Sequence, residues 1–331
     1  MSGLRRVLGR LGFSVVVIVS VVTLTFLVNH ALPGDPARVV TGPQARPADV
    51  ERVRRQLGLD RPLWVQYGLF ARRLVHVGPR EISRKDPAHE SCSSVGLSLH
   101  VDLGMSYQQR KPVTVLVAER LPATVLLAVS ALLVQVGLGV FAGAVAARRR
   151  GSLVSEGIVL VTLLGISVPT FLIALGLQVL FAYRLRVLPF DGMAHGGVVL
   201  PALTLGLWGA AYYTRLVRDE VLNQEAEQYV RTALAKGATR TRVLVVHVLR
   251  NTLLPLITVV GLDFGALIGG AIVTEKIFRW PGMGSLSVDA VVSRDGPVVM
   301  GTVIVASTAI VLANLAVDAS YALLDPRVRR A

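Results

Sequence analysis

Ala123-Thr124-Val125-Leu126-Leu127-Ala128-Val129-Ser130-Ala131-Leu132-Leu133-Val134-Gln135-Val136-Gly137-Leu138-Gly139-Val140-Phe141-Ala142-Gly143-Ala144-Val145-Ala146-Ala147 carries no charge and ends abruptly at Arg148-Arg149-Arg150-Gly151. A hydrocarbon core about 30 Å thick takes roughly 20 apolar residues at the helical rise, so this run is long enough to cross it. The three arginines mark its cytoplasmic end. Comparable runs flank it: Leu11 to Ala31 before it, then about Val154–Tyr183, Val198–Arg218, Leu253–Val273 and Val298–Leu324. With 53% hydrophobic and 17% charged residues and a mean hydropathy of +0.59, the chain lies far from a soluble average. The expectation is an all-α polytopic membrane protein of six transmembrane helices.

The positive charges follow the helix ends. Arg5, Arg6 and Arg10 precede the first span and Arg327, Arg329 and Arg330 close the chain, which predicts cytoplasmic termini. That pattern accounts for the formal charge of +14 without a nucleic-acid partner. Ala31-Leu32-Pro33-Gly34-Asp35 is a poor cleavage site, so the first span reads as a retained helix. Pro169 lacks an amide hydrogen and predicts a kink or break in the third span.

Three segments follow: the N-terminus and first span (1–32), a small extracytoplasmic domain (33–121) and a permease-like core (122–331) with a cytoplasmic loop at about 219–250. In the external segment Pro47–Leu57 and Trp64–Val75 have helical periodicity, whereas Gly78–His100 has little and reads as an irregular excursion. Cys92 is the only cysteine and excludes an intrachain disulfide; the expected reading is a bland surface residue. His89, Cys92, His100 and Asp102 have metal-ligand chemistry but a spacing that fits no standard module, so no metal is expected. No Gly-x-x-x-x-Gly-Lys-Ser/Thr, Gly-x-Ser-x-Gly or His-Glu-x-x-His stretch occurs; no catalytic residue and no cofactor of its own is expected.

Between spans four and five, Tyr229-Val230-Arg231-Thr232-Ala233-Leu234-Ala235-Lys236-Gly237 places Val230, Ala233, Leu234 and Gly237 on one face, with Arg231 and Lys236 elsewhere. A short amphipathic helix ended by a left-handed Gly237 is predicted. It would either lie in the lipid headgroups or fit a groove in a soluble partner.

This segment, with His247-Val248-Leu249-Arg250-Asn251-Thr252-Leu253-Leu254-Pro255, resembles the cytoplasmic coupling loop of binding-protein-dependent ABC permeases, in the dipeptide, oligopeptide and nickel family. The family's Glu-Ala-Ala signature stands here as Arg231-Thr232-Ala233, so its Glu is replaced. Further likeness to the B-type subunit of that family runs through Leu32-Pro33-Gly34-Asp35-Pro36, Asp102-Leu103-Gly104 with Ser106, Glu275-Lys276-Ile277-Phe278, Pro281-Gly282-Met283-Gly284, Arg294-Asp295 and Leu324-Asp325-Pro326-Arg327. The stretch from about 78 to 100 is longer than the family pattern. The resemblance implies half of a peptide pathway in a bacterial inner membrane. The implied partners are a second, homologous permease (a heterodimer), two ATP-binding subunits that hold ATP and Mg, and an extracytoplasmic substrate-binding protein. It implies that Tyr229, Arg231, Thr232, Ala233, Lys236 and Gly237 couple the chain to the ATPase.

Glycines at four-residue intervals, Gly139 and Gly143 in the second span and Gly261, Gly265 and Gly269 in the fifth, offer small faces for close helix packing. Asp263 lies inside the fifth span, where a carboxylate needs a partner or water; it faces either a cationic group in the pathway or buried hydrogen-bond donors. A nickel or other small-solute permease, a secondary transporter or channel, and a membrane enzyme remain alternatives. A secondary transporter would show inverted repeats, and none is visible.

Overall fold

The computed structural model describes residues 2–31, 35–42, 44–77, 91–96 and 99–324. Leu32 to Gly34, His89 with the rest of 78–90, and the terminal stretch from Asp325 with its arginines lie outside the described residues. In chain order the elements are α1 (Ser2–Ala31), α2 (Pro36–Thr41), α3 (Pro47–Gln56), α4 (Leu63–Leu74), β1 (Val75–Val77), β2 (Cys92–Gly96), β3 (Leu99–Asp102), α5 (Val113–Arg148), α6 (Leu153–Ser167) and α7 (Thr170–Leu177). A π-helical turn (Gln178–Arg184) leads on to α8 (Val199–Glu225), α9 (Gln228–Ala235) and α10 (Arg240–Arg242). After a second π-helical turn (Val243–Val248) come α11 (Leu249–Gly270), α12 (Ile272–Ile277), α13 (Met283–Val292) and α14 (Gly296–Leu324).

Among the described residues, three helical stretches are long and apolar enough to cross a membrane, Gly9–His30, Val113–Arg148 and Gly296–Ser320. Two bent pairs, Leu153–Ser167 with Thr170–Arg184 and Arg240–Leu253 with Pro255–Gly269, bring the number to five if each is one span. The first pair bends by 102°. Its break falls where Val168 is held extended before Pro169, which also withholds an amide hydrogen. The remaining expected span coincides with α8, in which Pro201, Trp208, Tyr212, Tyr213 and Arg215 dilute the apolar character. Thirteen of its residues are buried in protein, among them Gly206, Gly209, Tyr213 and Val217, so it has less need of a lipid-compatible surface.

Two compact units form: residues 1–122 with 282–311, and residues 123–281 with 312–331. In the first, Val22 of α1, Val113, Leu116 and Val117 of α5, Met283 and Leu286 of α13, and Val298 of α14 make the core. Helix α4 leans on α1 through a hydrogen bond between the Thr23 and Tyr67 hydroxyls (2.7 Å) and another between His30 Nε2 and Gln66 Oε1 (3.0 Å). Trp64, by contrast, is exposed. The strands form an antiparallel sheet of order β1-β3-β2, pairing His76 with His100 and Cys92 with Asp102. The irregular reading is therefore corrected at 92–96 and 99–100, which are strands, while 78–90 and 97–98 lie outside the described residues; the all-α description is corrected too, since the fold is mostly helical with one small sheet. Periodicity did not reveal β3 because its polar residues, His100 and Asp102, are the buried ones and Leu99 is exposed.

Asp295 organises the turn between β3 and α5. Its buried carboxylate accepts the Ser106 hydroxyl (2.5 Å) and the backbone amides of Tyr107 (3.1 Å) and Gln108 (3.2 Å). Burial, with the Asp295 charge second, pushes the Tyr107 phenol up to about 12. We expect Asp295→Ala to strand three donors and destabilise the turn by about 2 to 3 kcal/mol. Trypsin should then cut after Arg110 faster than in the unaltered chain, and equal cutting rates would refute the clamp.

The second unit is built on closely packed helices. Gly143 sits where a Cβ would lie 2.7 Å from the Thr214 carbonyl oxygen and 2.8 Å from Val217 Cβ, and a Cβ on Gly139 would overlap Tyr213. Helix α8 answers with Gly206, whose Cβ would meet Val134, and Gly209, whose Cβ would overlap Gln135. Gly261 of α11 is pressed against Val317 in the same way, Gly265 is buried and Gly269 half-buried. Bare backbone at these crossings lets two helices approach more closely than side chains allow.

Candidate functional site

Helix α9 is short, and its ends are fixed by hydrogen bonds that its sequence dictates. Gly237 has φ +85°, a conformation that favours glycine. Its amide donates to the Leu234 carbonyl (2.9 Å) and that of Ala238 to the Ala233 carbonyl (3.2 Å). This is the paired pattern of a Schellman stop. Immediately after it, the Thr239 hydroxyl oxygen accepts the Arg242 amide (3.3 Å) and starts α10. At the other end the Tyr229 hydroxyl donates to Gln224 Oε1 (2.9 Å), while Gln224 Nε2 donates to Glu220 Oε1 (2.8 Å), tying α9 to the end of α8.

Val230 is buried against Val217, Val221, Val243 and Val248, and Tyr229, Ala233 and Ala238 pack beside it. Arg231, Thr232, Lys236 and Gly237 are exposed. Leu234, expected on the inward face, is 38% exposed and joins them. Its position follows from the 100° step per residue, which carries Leu234 to one flank of the Val230–Ala233 line. The outward face is thus cationic, with Leu234 and Ala235 as its apolar part. His247 and Arg250, which follow on the way into α11, are also exposed.

Asp263 is gripped from two helices. Its Oδ2 accepts the Tyr213 hydroxyl of α8 (2.9 Å) and Gln135 Nε2 of α5 (3.3 Å). Gln135 and Tyr213 are buried while Asp263 is half-buried. The missing Cβ of Gly209 leaves the room that Gln135 occupies. Asp263→Asn is expected to keep assembly within about twofold, because an amide oxygen accepts the same two bonds; a fall in uptake by that variant would then report on the lost charge. Asp263→Leu strands both donors and is expected to lower the assembled protein by about fivefold, read from solubilised complex on a sizing column.

Cys92 is buried, not on the surface, and its Sγ lies 3.4 Å from His76 Nε2. Burial, with the Asp102 charge second, pushes its thiol up to about 11. Among the described residues no group of three or more His, Cys, Asp and Glu side chains is placed to hold a metal ion. Spacing alone did not single out Gln135, Gly206 and Gly209; their signal is that Gln135 is a polar residue within an otherwise apolar span and that the two glycines share one face of α8.

Long apolar helices, glycine crossings and a short capped helix set between two of the longer ones define a multi-pass membrane protein. The comparisons say which. Residues 135–330 match the family described as binding-protein-dependent transport system inner membrane component, and residues 3–128 match its N-terminal membrane component. A putative peptide transport system permease protein of Brucella abortus (strain 2308) is 37% identical over 332 residues, covering 98% of each chain. The glutathione transport system permease protein GsiC of Escherichia coli (strain K12) is 37% identical over 309 residues, 92% of each. An inward-facing structure of the MetNI methionine ABC transporter aligns with a TM-score of 0.52 at 14% identity, over 65% of this chain and 98% of the other, a likeness of fold. The chain belongs to the binding-protein-dependent transport system inner-membrane component family.

Proposed function

We propose that this chain is one of two pathway-forming permease subunits of an ATP-driven importer of peptides in a bacterial inner membrane. A second, homologous permease completes the pathway. Two partner subunits bind ATP and Mg, and an external binding protein delivers cargo. The chain itself carries out no hydrolysis. In this reading α8 is a sixth span, both termini face the cytoplasm and residues 33–121 lie largely outside.

The observation that carries the transport reading is α9. It is a rigid, twice-anchored helix that buries Val230 and leaves Arg231, Thr232, Leu234 and Lys236 outward. A fixed knob of mixed charge and apolar surface suits a groove in a soluble protein better than lipid alone, since interfaces combine an apolar anchor with a polar rim. Peptides as cargo are supported by the printed names of relatives that match nearly the whole chain.

Affinity purification from the native membrane tests this directly. Co-recovery of a second permease and of ATP-binding subunits, with ATPase activity raised by a peptide-loaded binding protein, is expected. Recovery of the chain alone, moving solute in liposomes without ATP, would replace the reading with a secondary transporter.

A further inference from the structure

The first unit holds an open cavity of about 820 Å³, bordered by α1, α3, α4, the Ser106–Arg110 turn and the start of α14. That volume lies in the range of small-ligand sites. We propose that this cavity binds the free carboxylate end of a peptide through Arg55, Arg73 and Arg110, as an external station for cargo. The proposal rests on the peptide-importer reading above.

Charge is the first ground. Of the arginines lining the cavity, Arg54 is committed to Asp35 at 2.5 Å, and Asp35 in turn caps α2 through the Ala37 amide (3.1 Å). Arg55, Arg61, Arg73 and Arg110 line it with no ion pair to another described residue. Among the described residues, the only other carboxylate on its wall is Asp102, which accepts the Gly104 amide at 2.8 Å. A concave surface with an excess of one sign of charge focuses potential inside itself and gathers ligands of the opposite sign. Guanidinium groups also match a carboxylate in geometry, with paired donors.

The lining is not that of a plain solvated face. The half-buried Phe70 and the exposed Leu57 and Leu63 add apolar surface beside the arginines, so the ligand has an anionic end and an apolar body. Phe26 and Phe70 stack with ring centres 5.6 Å apart. The wall that carries Arg110 is held in advance: three hydrogen bonds to Asp295 fix the turn, and Arg110 sits at φ +51°, a conformation unusual for a residue with a side chain. Residues kept in such conformations by their surroundings cluster at ligand clamps, and a wall fixed before binding reduces the ordering cost of the complex.

An anionic phospholipid headgroup offers the same oxyanion chemistry, so the test separates the two sources. The full chain, with the subunits that co-purify, is placed in nanodiscs of phosphatidylcholine, and radiolabelled triphenylalanine is offered by equilibrium dialysis, as free acid and as C-terminal amide. The free acid is expected to bind at least about tenfold more tightly than the amide, and Arg73→Gln with Arg110→Gln to remove that preference. Arg55→Gln alone is expected to weaken it partway, and elution of each variant as assembled complex guards against misfolding. Equal binding of acid and amide, a preference untouched by these variants, or loss of peptide binding when phosphatidylglycerol is added would overturn the proposal. Peptide uptake by the unaltered complex with its binding protein, measured in parallel, keeps the two readings apart. Uptake without the carboxylate preference refutes this site alone; absence of peptide uptake refutes the importer reading beneath it.

Discussion

Gly237→Trp is expected to leave the chain in the membrane at near-normal level and to cut peptide uptake by more than about tenfold. The reasoning turns on where the new side chain would go. A Cβ at Gly237 meets nothing within 4 Å, so an added side chain leaves the backbone into open space. Its internal cost is confined to the left-handed backbone, about 1 to 2 kcal/mol for any residue with a Cβ, spread over a stop that also holds the Ala238 and Gly237 amides. Gly237→Ala carries that same strain without the bulk. If the open space over Gly237 is where an ATPase subunit seats, Trp blocks the seat while Ala lowers uptake by no more than about threefold. Uptake of labelled peptide and ATPase activity of the purified complex read the difference. Equal loss from Ala and Trp would assign the effect to the helix stop, and normal uptake with Trp would refute α9 as the docking knob.

The parts of the fold set by lipid were the parts most easily read. A span must be apolar across the hydrocarbon core, and that demand is visible in the long apolar stretches of α1, α5 and α14. Helix α9 was legible for a different reason: Val230 and Ala233 lie on one face and Gly237 supplies the stop, so burial and cap are both written locally. Leu234 was misplaced because a helix of two turns has a narrow buried line, and a residue at its flank is decided by its neighbours. The sheet was missed because His100 and Asp102 face inward, against the usual sense of a period-two pattern. Arg294-Asp295 and Asp102-Leu103-Gly104 with Ser106 were noticed as separate segments. Their union through the Ser106–Asp295 bond joins residues 189 positions apart, which periodicity cannot report. The same holds for Asp263, whose two donors come from α5 and α8; its need for partners was evident, their identity was not.

Gly143→Leu is expected to be the most damaging substitution to the second unit, lowering assembled protein by about tenfold or more while Gly137→Leu, on the same helix, has little effect. At Gly143 an added Cβ alone would stand 2.7 Å from the Thr214 oxygen and 2.8 Å from Val217 Cβ. The first of these is backbone of α8, which cannot rotate away, so α5 and α8 must separate along their shared length. Overpacking of this kind costs about 1 to 3 kcal/mol where side chains can yield, and the upper end or beyond is expected where backbone is struck. Separation would also part Gln135 of α5 from Tyr213 of α8, so Asp263 could not keep both bonds and a stranded polar group would add to the steric cost. At Gly137 a Cβ meets nothing within 4 Å, so a leucine there projects into open space and serves as the control for helix propensity and hydropathy. Solubilised complex recovered from a sizing column, normalised to total chain, measures both. Comparable recovery of the two variants would show that the α5–α8 contact does not depend on close backbone approach. A selective loss at Gly143 would place the strength of the unit in that crossing, where association between helices in lipid depends on packing and polar pairing more than on burial from water.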